Sequence, residues 1–257
     1  MHALIAGLGL IGGSIGMALR EEGWSVSYLD PYVDADTASR AGAADRRVER
    51  FIPADVVILA TPADVALSMR SAIEGAGVVT TVCSVMGPFS GPEIVAGHPL
   101  AGSQERGLPT ARLDLFRGRP WFVDRDEPGV AKVIAACGAT AEVVDPAEHD
   151  RAMALTSHLP QLLSTALASI VDPALLRYAG PGLRTFLRLA GSDSSVWRPV
   201  IDANRESIAA HAAGLERVLA EILAGDDGPF LQARQLYERL EQAARHQAQS
   251  DPGGKPL

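Results

Sequence analysis

Short apolar runs alternate with amphipathic segments through the first 144 residues of the chain. The runs are rich in Val, Ile and Leu and have the length of buried strands, whereas the segments between them favour helices. This alternation is typical of an α/β fold with a doubly wound parallel sheet. Strands are predicted at 3–6, 26–29, 55–62 (including the turn that ends it), 78–82, 94–99, 121–124 and 141–144. Helices are predicted at 11–22, 34–42, 63–74 and 128–137.

The pattern changes near Asp145, beyond which the sequence has only helical periodicity. Asp145 suits a helix N-cap, Pro146 the first helical position and Glu148 a capping box. We therefore predict an α/β domain over residues 1–145 and an all-helical domain over residues 146–248. Helices of the second domain are expected at 149–170, 181–190, 195–224 and 230–246, followed by a disordered tail at 249–257.

A glycine pattern, Gly7-Leu8-Gly9-Leu10-Ile11-Gly12, joins the first strand to the first helix, and Asp30 ends the next strand. In such a pattern the first glycine permits a tight turn, the second lets backbone N–H groups approach a pyrophosphate, and the third allows close helix packing. The helix then faces the phosphates with its positive N-terminal end. Asp30 can accept hydrogen bonds from a ribose 2′-hydroxyl and would repel a 2′-phosphate, which favours NAD over NADP. We predict a Rossmann-type NAD site formed by Gly7, Leu8, Gly9, Leu10, Ile11, Gly12, Asp30, Thr61 and Pro62.

Composition narrows the class of protein. The 257 residues are 47% hydrophobic and 21% charged, as in an ordinary soluble protein, and the net charge of −8 argues against nucleic acid or an anionic membrane as a partner. No apolar run reaches the roughly 18 residues of a membrane span, and the first run is the nucleotide strand rather than a signal peptide. Cys83 and Cys137 lack metal-ligand spacing and fit buried free thiols in a reducing compartment. We expect a cytoplasmic protein without a metal.

Three further stretches carry candidate chemistry. The first places His98 in a glycine-rich loop at a strand end, where ligands bind in open α/β sheets. The second, Ser157-His158-Leu159-Pro160-Gln161, lies in a helix that Pro160 must kink or break. The third holds Arg188, with Trp197 further along the chain. Because the stretches are separate in sequence, their convergence in space is a hypothesis.

Together with the glycine turn and the turn at Ser84, these stretches give five motifs in order: GLGLIGGS, SV-G at Ser84, HP-AG at His98, SHLP at His158 and RLA-S----W at Arg188. In these motifs the chain resembles the prephenate/arogenate dehydrogenase family, whose members transfer hydride in tyrosine biosynthesis. The resemblance extends over residues 2–197. It implies a Rossmann-type domain followed by a helical domain that forms a homodimer, with the active site in the cleft between them and prephenate or arogenate as the small-molecule substrate.

The same resemblance assigns roles to individual residues. It makes His98 the catalytic histidine, hydrogen-bonded to the C4 hydroxyl of the substrate ring, with Ser84 beside it near the nicotinamide. Arg188 would bind a substrate carboxylate, through the paired hydrogen bonds that a guanidinium forms with that group. Histidine is the base best suited to take the hydroxyl proton near neutral pH while hydride leaves C4 for NAD, and aromatisation then drives decarboxylation. The remaining pocket residues would be His158, Gln161 and Trp197.

Each assignment has a structural alternative. His98 could merely hydrogen-bond a turn, Ser84 could be a turn residue, and Arg188 could be a solvated helix residue. Close to Pro160, His158 could satisfy a freed carbonyl, and Trp197 could belong to the core. The other histidines are expected at the surface or on helices without a functional partner: His2, His149, His211 and His246.

The chain departs from the family pattern at four positions. Met86 stands where the family often has lysine, Gln161 where it often has histidine, and Gln104 and Thr185 where acids are common. Two acids and a potential cation are thus replaced by neutral residues. These replacements leave the choice between prephenate and arogenate (or an amino analogue) open.

Two other classes of protein share parts of this pattern. A β-hydroxyacid dehydrogenase has the same domain plan but uses a lysine of the helical domain as acid and base. Here Lys132 precedes that domain and Lys255 lies in the tail, which argues against this class. A non-catalytic NAD-binding regulator would have a degraded cleft, as the neutral replacements suggest. The presence of both His98 and Arg188 favours an enzyme.

Overall fold

The structure is a computed structural model that describes residues 1–101 and 106–250, with side chains except at 244 and 246–250. Its largest sheet has five parallel strands: β1 (His2–Ala6), β2 (Ser25–Leu29), β3 (Arg46–Arg47), β4 (Ala54–Leu59) and β5 (Ala76–Thr81). They lie in the order β3-β2-β1-β4-β5. β1 pairs with β2 and β4 in a register that places Ala6 beside Leu29 and Leu59, so the three strands end at one edge. The four predicted strands of this sheet are confirmed, and β3 is an additional short edge strand.

Helices cover both faces of this sheet because alternate strand residues are apolar on each face. One core cluster joins Ile5 to helix residues such as Ile15 and Val133, and the other joins Leu4 to Ala66. The helices are α1 (Leu10–Glu21), α2 (Ala35–Arg40), α3 (Ala63–Met69) and α4 (Pro128–Ala136). The helix predicted at 63–74 is shorter, since the chain continues from Met69 as a 3-10 turn at Arg70–Ala72.

The last three predicted strands form a separate three-stranded sheet rather than extending the parallel one. They are β6 (Gly97–Pro99), β7 (Pro120–Val123) and β8 (Thr140–Val143). β6 is antiparallel to β7, whereas β7 is parallel to β8. The physical reason is the connection, because a parallel pair needs a crossover such as α4 provides between β7 and β8. A single isolated bridge, Thr80 to Val95, links the segment before β6 to β5.

The chain from Pro146 is helical, with two interruptions that the periodicity did not predict. The predicted helix 149–170 consists of α5 (Pro146–Met153), a π-helical turn (Ala154–His158) and α6 (Leu159–Ile170). Pro160 is accommodated in the first turn of α6, where its missing N–H costs least. The predicted helix 195–224 is wrong as one element: it is α8 (Ser194–Ala203) and α9 (Arg205–Leu223), separated by the buried Asn204.

The other helical elements lie close to their predicted positions. The segment predicted at 181–190 is α7 (Pro181–Phe186) followed by a 3-10 helix at Leu187–Gly191, and another 3-10 helix spans Pro173–Tyr178. The last helix, α10 (Gly228–Ser250), extends into the segment predicted as a disordered tail, whose residues 251–257 lie outside the described part of the chain. No helix within the described residues is long and apolar enough to cross a membrane.

The chain forms two compact units, Met1–Ile208 and Ala209–Leu257. The first unit contains both sheets and the helical elements up to α8, and therefore every described residue that the sequence assigns to a functional site. The second unit contains most of α9 and all of α10. The proposed division of function near Asp145 remains a prediction.

Two glycines of the turn after β1 offer a matched test of packing. A Cβ at Gly12 would lie 2.0 Å from the carbonyl oxygen of Gly7, whereas a Cβ at Gly9 would meet nothing within 4 Å among the described residues. We expect Gly12→Ala to lower the free energy of unfolding by about 2 kcal/mol or more, because backbone must move. Gly9→Ala should leave it almost unchanged. Denaturant unfolding of both variants measures this difference, and equal stabilities would contradict it.

Candidate active site

The turn after β1 brings open backbone to the carboxyl edge of the parallel sheet. Gly7 has a φ of +90°, and the position of a Cβ on it lies 2.6 Å from the carbonyl oxygen of Ala60 at the end of β4. A side chain is therefore excluded at Gly7 as well as at Gly12. Gly9, the N-cap of α1, faces open space. A ligand can approach the backbone there, in front of the helix N-terminus.

Asp30 holds this turn in place. One carboxylate oxygen accepts the Leu8 N–H at 2.8 Å, and the other accepts the Tyr32 N–H at 2.8 Å. The carboxylate thus clamps the glycine turn to the end of β2. Each oxygen retains a further lone pair, so the geometry is compatible with the predicted ribose contact.

The other predicted cofactor residues have different surroundings. The Leu8 side chain is fully buried, and Leu10 and Ile11 pack against the core. Pro62 is the N-cap of α3. The Thr61 Oγ1 is buried without a hydrogen-bond partner in the described structure, and its methyl group lies 3.0 Å from the Cβ position of Gly7. An unpaired buried hydroxyl costs about 1–3 kcal/mol, so an acceptor or donor from a bound ligand would suit it.

His98 on β6 belongs to a hydrogen-bonded series of side chains. Its Nδ1 lies 2.9 Å from Nε2 of His149, and the Nδ1 of His149 lies 2.8 Å from a carboxylate oxygen of Asp150. The two rings meet edge to face, with centroids 5.1 Å apart. Burial, reinforced by the neighbouring His149 and His158, lowers the pKa of His98 to about 3. At neutral pH His98 is therefore an uncharged ring that can accept a proton.

The prediction that His149 is a surface or helix residue without a partner is wrong. Its side chain is buried at the first turns of α5, where it contacts His98, Asp150 and the ring of Phe122. The sequence does contain one indication, since the His-Asp pair follows the capping box of α5 directly. Of the other three histidines, His2 hydrogen-bonds Ser27 and the Pro53 carbonyl, His211 is half-buried on α9, and the side chain of His246 is outside the described residues.

Asp150 connects this series to the turn that follows β5. Its two oxygens accept the N–H groups of Met86 and Gly87, each at 2.8 Å. Burial raises the pKa of Asp150, but the hydrogen bonds from His149, Met86 and Gly87 outweigh burial and leave the pKa below its usual value. The partly exposed Ser84 lies two residues before Met86, so Asp150 anchors the turn that carries this candidate residue.

His158 ends the π-helical turn and is fully buried. Asn204 connects His158 to Asp150, the last member of the series that begins at His98. Its side-chain amide donates to the Asp150 carbonyl at 2.7 Å and lies 3.2 Å from Nδ1 of His158. The Trp197 ring packs against His158 with centroids 6.1 Å apart. The Nε2 of His158 is buried without a partner in the described structure. Asn204 had no role in the sequence interpretation.

Gln161 and Arg188 are connected through the backbone. The Gln161 side-chain amide donates to the Leu189 carbonyl at 2.8 Å and to the Thr165 hydroxyl at 3.2 Å. Gln161 therefore ties α6 to the 3-10 helix that carries the exposed Arg188, and both of its N–H groups are occupied.

The loop after His98 also reaches the third motif, through an ion pair of 3.7 Å between Arg106 and Asp193, the N-cap of α8. Among the positions that depart from the family pattern, Met86 is buried and Thr185 is exposed. Gln104 lies outside the described residues. The structure thus links the stretch of His98 to that of His158 through His149, Asp150 and Asn204. It links both stretches to that of Arg188, through Gln161 and through Arg106.

Comparison with known proteins agrees with this architecture. A family model described as prephenate dehydrogenase, nucleotide-binding domain, matches residues 15–135, and one described as prephenate dehydrogenase, dimerization domain, matches residues 145–227. The Streptomyces niveus protein named probable prephenate dehydrogenase NovF is 33% identical over 244 residues, which cover 86% of this chain and 67% of that protein.

Two solved structures share the fold of the chain. Aquifex aeolicus prephenate dehydrogenase, in complex with hydroxyphenyl propionate and NAD⁺, has a TM-score of 0.77 at 24% identity and covers 98% of both chains. Synechocystis arogenate dehydrogenase has a TM-score of 0.72 at 22% identity, covering 98% of this chain and 99% of its own.

The matching nucleotide-binding domain and the curated relatives place the chain among the dehydrogenases, a class of oxidoreductases. The chain belongs to the prephenate dehydrogenase family. The resemblance found in the five sequence motifs is thereby confirmed at the level of the family.

The buried histidines predict how stability depends on pH. Burial, partly offset by Asp150, lowers the pKa of His158 from 6.5 to about 4, so the unfolded chain binds this proton at a higher pH than the folded chain does. Its contribution to stability is present above about pH 6.5 and is lost as the pH falls toward 4. In His158→Asn this contribution is absent. We therefore expect the difference in melting temperature between wild type and His158→Asn to narrow from pH 7.5 to pH 5; parallel curves would contradict this prediction.

Proposed function

We propose that the protein is an NAD-dependent prephenate dehydrogenase, which converts prephenate to 4-hydroxyphenylpyruvate by oxidative decarboxylation in tyrosine biosynthesis. The observation that carries the proposal is the uncharged His98, placed on β6 and held by His149 within a chain that has the family's nucleotide-binding domain. Arogenate is the alternative substrate, since the neutral Met86, Gln161 and Thr185 favour no particular charge on the substrate side chain.

The cofactor would be held by residues that the glycine turn brings together. The backbone around Gly9 and the N-terminus of α1 suit the pyrophosphate, Asp30 suits the adenosine ribose, and the unpaired Thr61 hydroxyl suits a further polar contact. NAD, when bound, supplies the acceptor for the hydride that leaves C4 of the substrate. The carboxylate of Asp30 would disfavour a cofactor with a 2′-phosphate.

His98 would act as the base in this reaction. Its neutral ring can take the proton of the C4 hydroxyl as hydride departs, which prevents the build-up of positive charge on the forming carbonyl. Loss of carbon dioxide from the ring then yields an aromatic product, so this step needs no further acid or base. Ser84, on the turn anchored by Asp150, would contact the reacting end of the substrate.

The substrate's carboxylate would be bound by Arg188, whose guanidinium can form two parallel hydrogen bonds with it. Gln161 contributes by holding the Leu189 carbonyl, and its side-chain oxygen remains able to accept a hydrogen bond. His158 and Trp197 would form the wall of the pocket, with Nε2 of His158 available to a substrate oxygen. The buried thiols Cys83 and Cys137, whose pKa values burial raises to about 12, suit a reducing cytoplasm.

Turnover of the two substrates tests the proposed function. Wild type with NAD should produce NADH from prephenate, or from arogenate if that is the preferred substrate. His98→Asn should lower kcat by about 10²–10⁴-fold, because the base is lost, while NAD still binds. The same assays with Arg188→Gln should raise KM for the ring substrate. NAD binding without turnover of either compound would contradict the proposal and favour a non-catalytic regulator.

We also propose that the protein is a homodimer. Four residues of α10 at heptad spacing form an apolar seam, Phe230, Ala233, Tyr237 and Leu240, and the three larger side chains are 60% or more exposed. An exposed apolar seam is typical of an interaction surface, and the family model described as a dimerization domain ends at residue 227, directly before α10. A second copy of the chain is the occupant that both observations support.

A substitution within the seam tests the dimer. Leu240→Asp would place a charge in the apolar seam and should shift the sedimentation coefficient from that of a dimer to that of a monomer. Gln235→Asp, also exposed on α10 but outside the seam, is the matched control and should remain dimeric. A monomeric wild type would contradict the proposal.

A further inference from the structure

The series from His98 through His149 to Asp150 has a direction, because one end of it can only accept hydrogen bonds. Asp150 receives the N–H groups of Met86 and Gly87 and the ring of His149, and these bonds keep it ionised. A carboxylate has no hydrogen to donate. The Nδ1 of His149 must therefore carry the hydrogen in the 2.8 Å bond to Asp150.

The tautomer of His149 determines the tautomer of His98. A neutral imidazole with its hydrogen on Nδ1 has a lone pair on Nε2. That nitrogen lies 2.9 Å from Nδ1 of His98, and the pair can share only one hydrogen. The hydrogen must then belong to Nδ1 of His98, which leaves the Nε2 of His98 with a free lone pair.

The side chain of His149 is enclosed by the residues that it contacts. The residue is 4% exposed, and its ring contacts His98 on one side and Phe122, with centroids 5.7 Å apart, on another. The charged or titratable neighbours described for this cluster are His98, Asp150 and His158. Among the described residues, Asn204 bridges His158 to the Asp150 carbonyl. The hydrogen bond to the Asp150 carboxylate fixes the ring of His149.

We propose that His149 and Asp150 are positioning residues that hold His98 as the Nδ1–H tautomer and so present its Nε2 lone pair as the base. The identity of the proton donor, the C4 hydroxyl, rests on the proposed dehydrogenase function, whereas the tautomer is a property of the protein alone. In the reaction the substrate O–H bond would break as its proton forms a bond to Nε2, while the C4–H bond breaks and its hydride leaves for the bound cofactor. The cation so formed on His98 faces the lone pair of His149, which stabilises it.

The tautomer can be measured directly in the full chain. Long-range ¹H–¹⁵N correlation spectra of the imidazole rings distinguish a protonated from an unprotonated nitrogen, and His98→Asn identifies the His98 signals by their loss. At pH 7 we expect the hydrogen on Nδ1 and the lone pair on Nε2 for His98, and the hydrogen on Nδ1 for His149. A hydrogen on Nε2 of His98, or a doubly protonated His149, would overturn the inference.

Two substitutions separate positioning from a merely structural role. In His149→Asn the amide reaches the Nδ1 position and keeps a bond to Asp150, but nothing accepts from His98. In His149→Gln the terminal oxygen reaches the Nε2 position and can accept from His98. We expect His149→Asn to lower kcat by about 10–100-fold, with KM for NAD nearly unchanged, and His149→Gln to recover most of that loss.

Failure of the positioning role can be distinguished from failure of the proposed dehydrogenase function. The positioning role would be overturned if His149→Asn had the same kcat as wild type. It would also be overturned if His149→Asn and His149→Gln had the melting temperature of wild type and lost kcat equally. If wild type turns over neither prephenate nor arogenate, the proposed function fails, and the ring spectra alone decide the inference. Should either variant fail to fold, the spectra of wild type likewise decide it.

Discussion

The carboxylate of Asp150 is the charge on which the arrangement of the site depends. A buried carboxylate is costly unless hydrogen bonds replace the water it has lost, and here three N–H donors converge on it. Those donors come from the turn after β5 and from the adjacent His149, while Asn204 holds the carbonyl of the same residue. The side chain of Asp150 thereby joins a loop of the sheet domain to the start of the helical segment, and its backbone carbonyl holds Asn204 at the break between α8 and α9.

Asp30, beside the glycine turn, is a second carboxylate that accepts hydrogen bonds from the backbone. Its carboxylate is occupied by two backbone N–H groups, one in the glycine turn and one beyond β2. Both acids therefore accept backbone N–H groups, and each holds a turn at a strand end in place. Rigid turns are what a hydride-transfer site needs, because the reacting groups must be held at short distance and in fixed orientation.

The sequence predicted those features whose cause is local. Strand positions follow from runs of buried apolar residues, and the glycine turn and Asp30 follow from steric and polar demands within thirty residues. The direction of β6 was not predictable in this way, since it depends on a connection without a crossover helix. Asn204 was missed because polar residues are common in amphipathic helices, and nothing nearby marks this one as buried.

The histidines show the same division. His98 lies in a motif, and the resemblance of that motif to the family is the source of its proposed role. His149 is 51 positions away from it, and a histidine near the start of a helix has no periodic or spacing pattern that identifies a partner. Its pairing with His98 is visible only in three dimensions. The same holds for the buried Nε2 of His158, whose lack of a partner cannot be seen in a sequence.

The π-helical turn between α5 and α6 changes the rotational phase of everything that follows it. In an uninterrupted α-helix successive residues turn by about 100°, so residues 149 and 158 would face roughly opposite directions. The wider turn at Ala154–His158 removes about one residue's rotation, so that His149 and His158 lie on neighbouring sides of the helix and both face the surroundings of His98. A deletion of one residue within this turn would give a more regular helix and yet turn His158 away from His149, so the length of the helix is under a constraint that its stability alone does not impose.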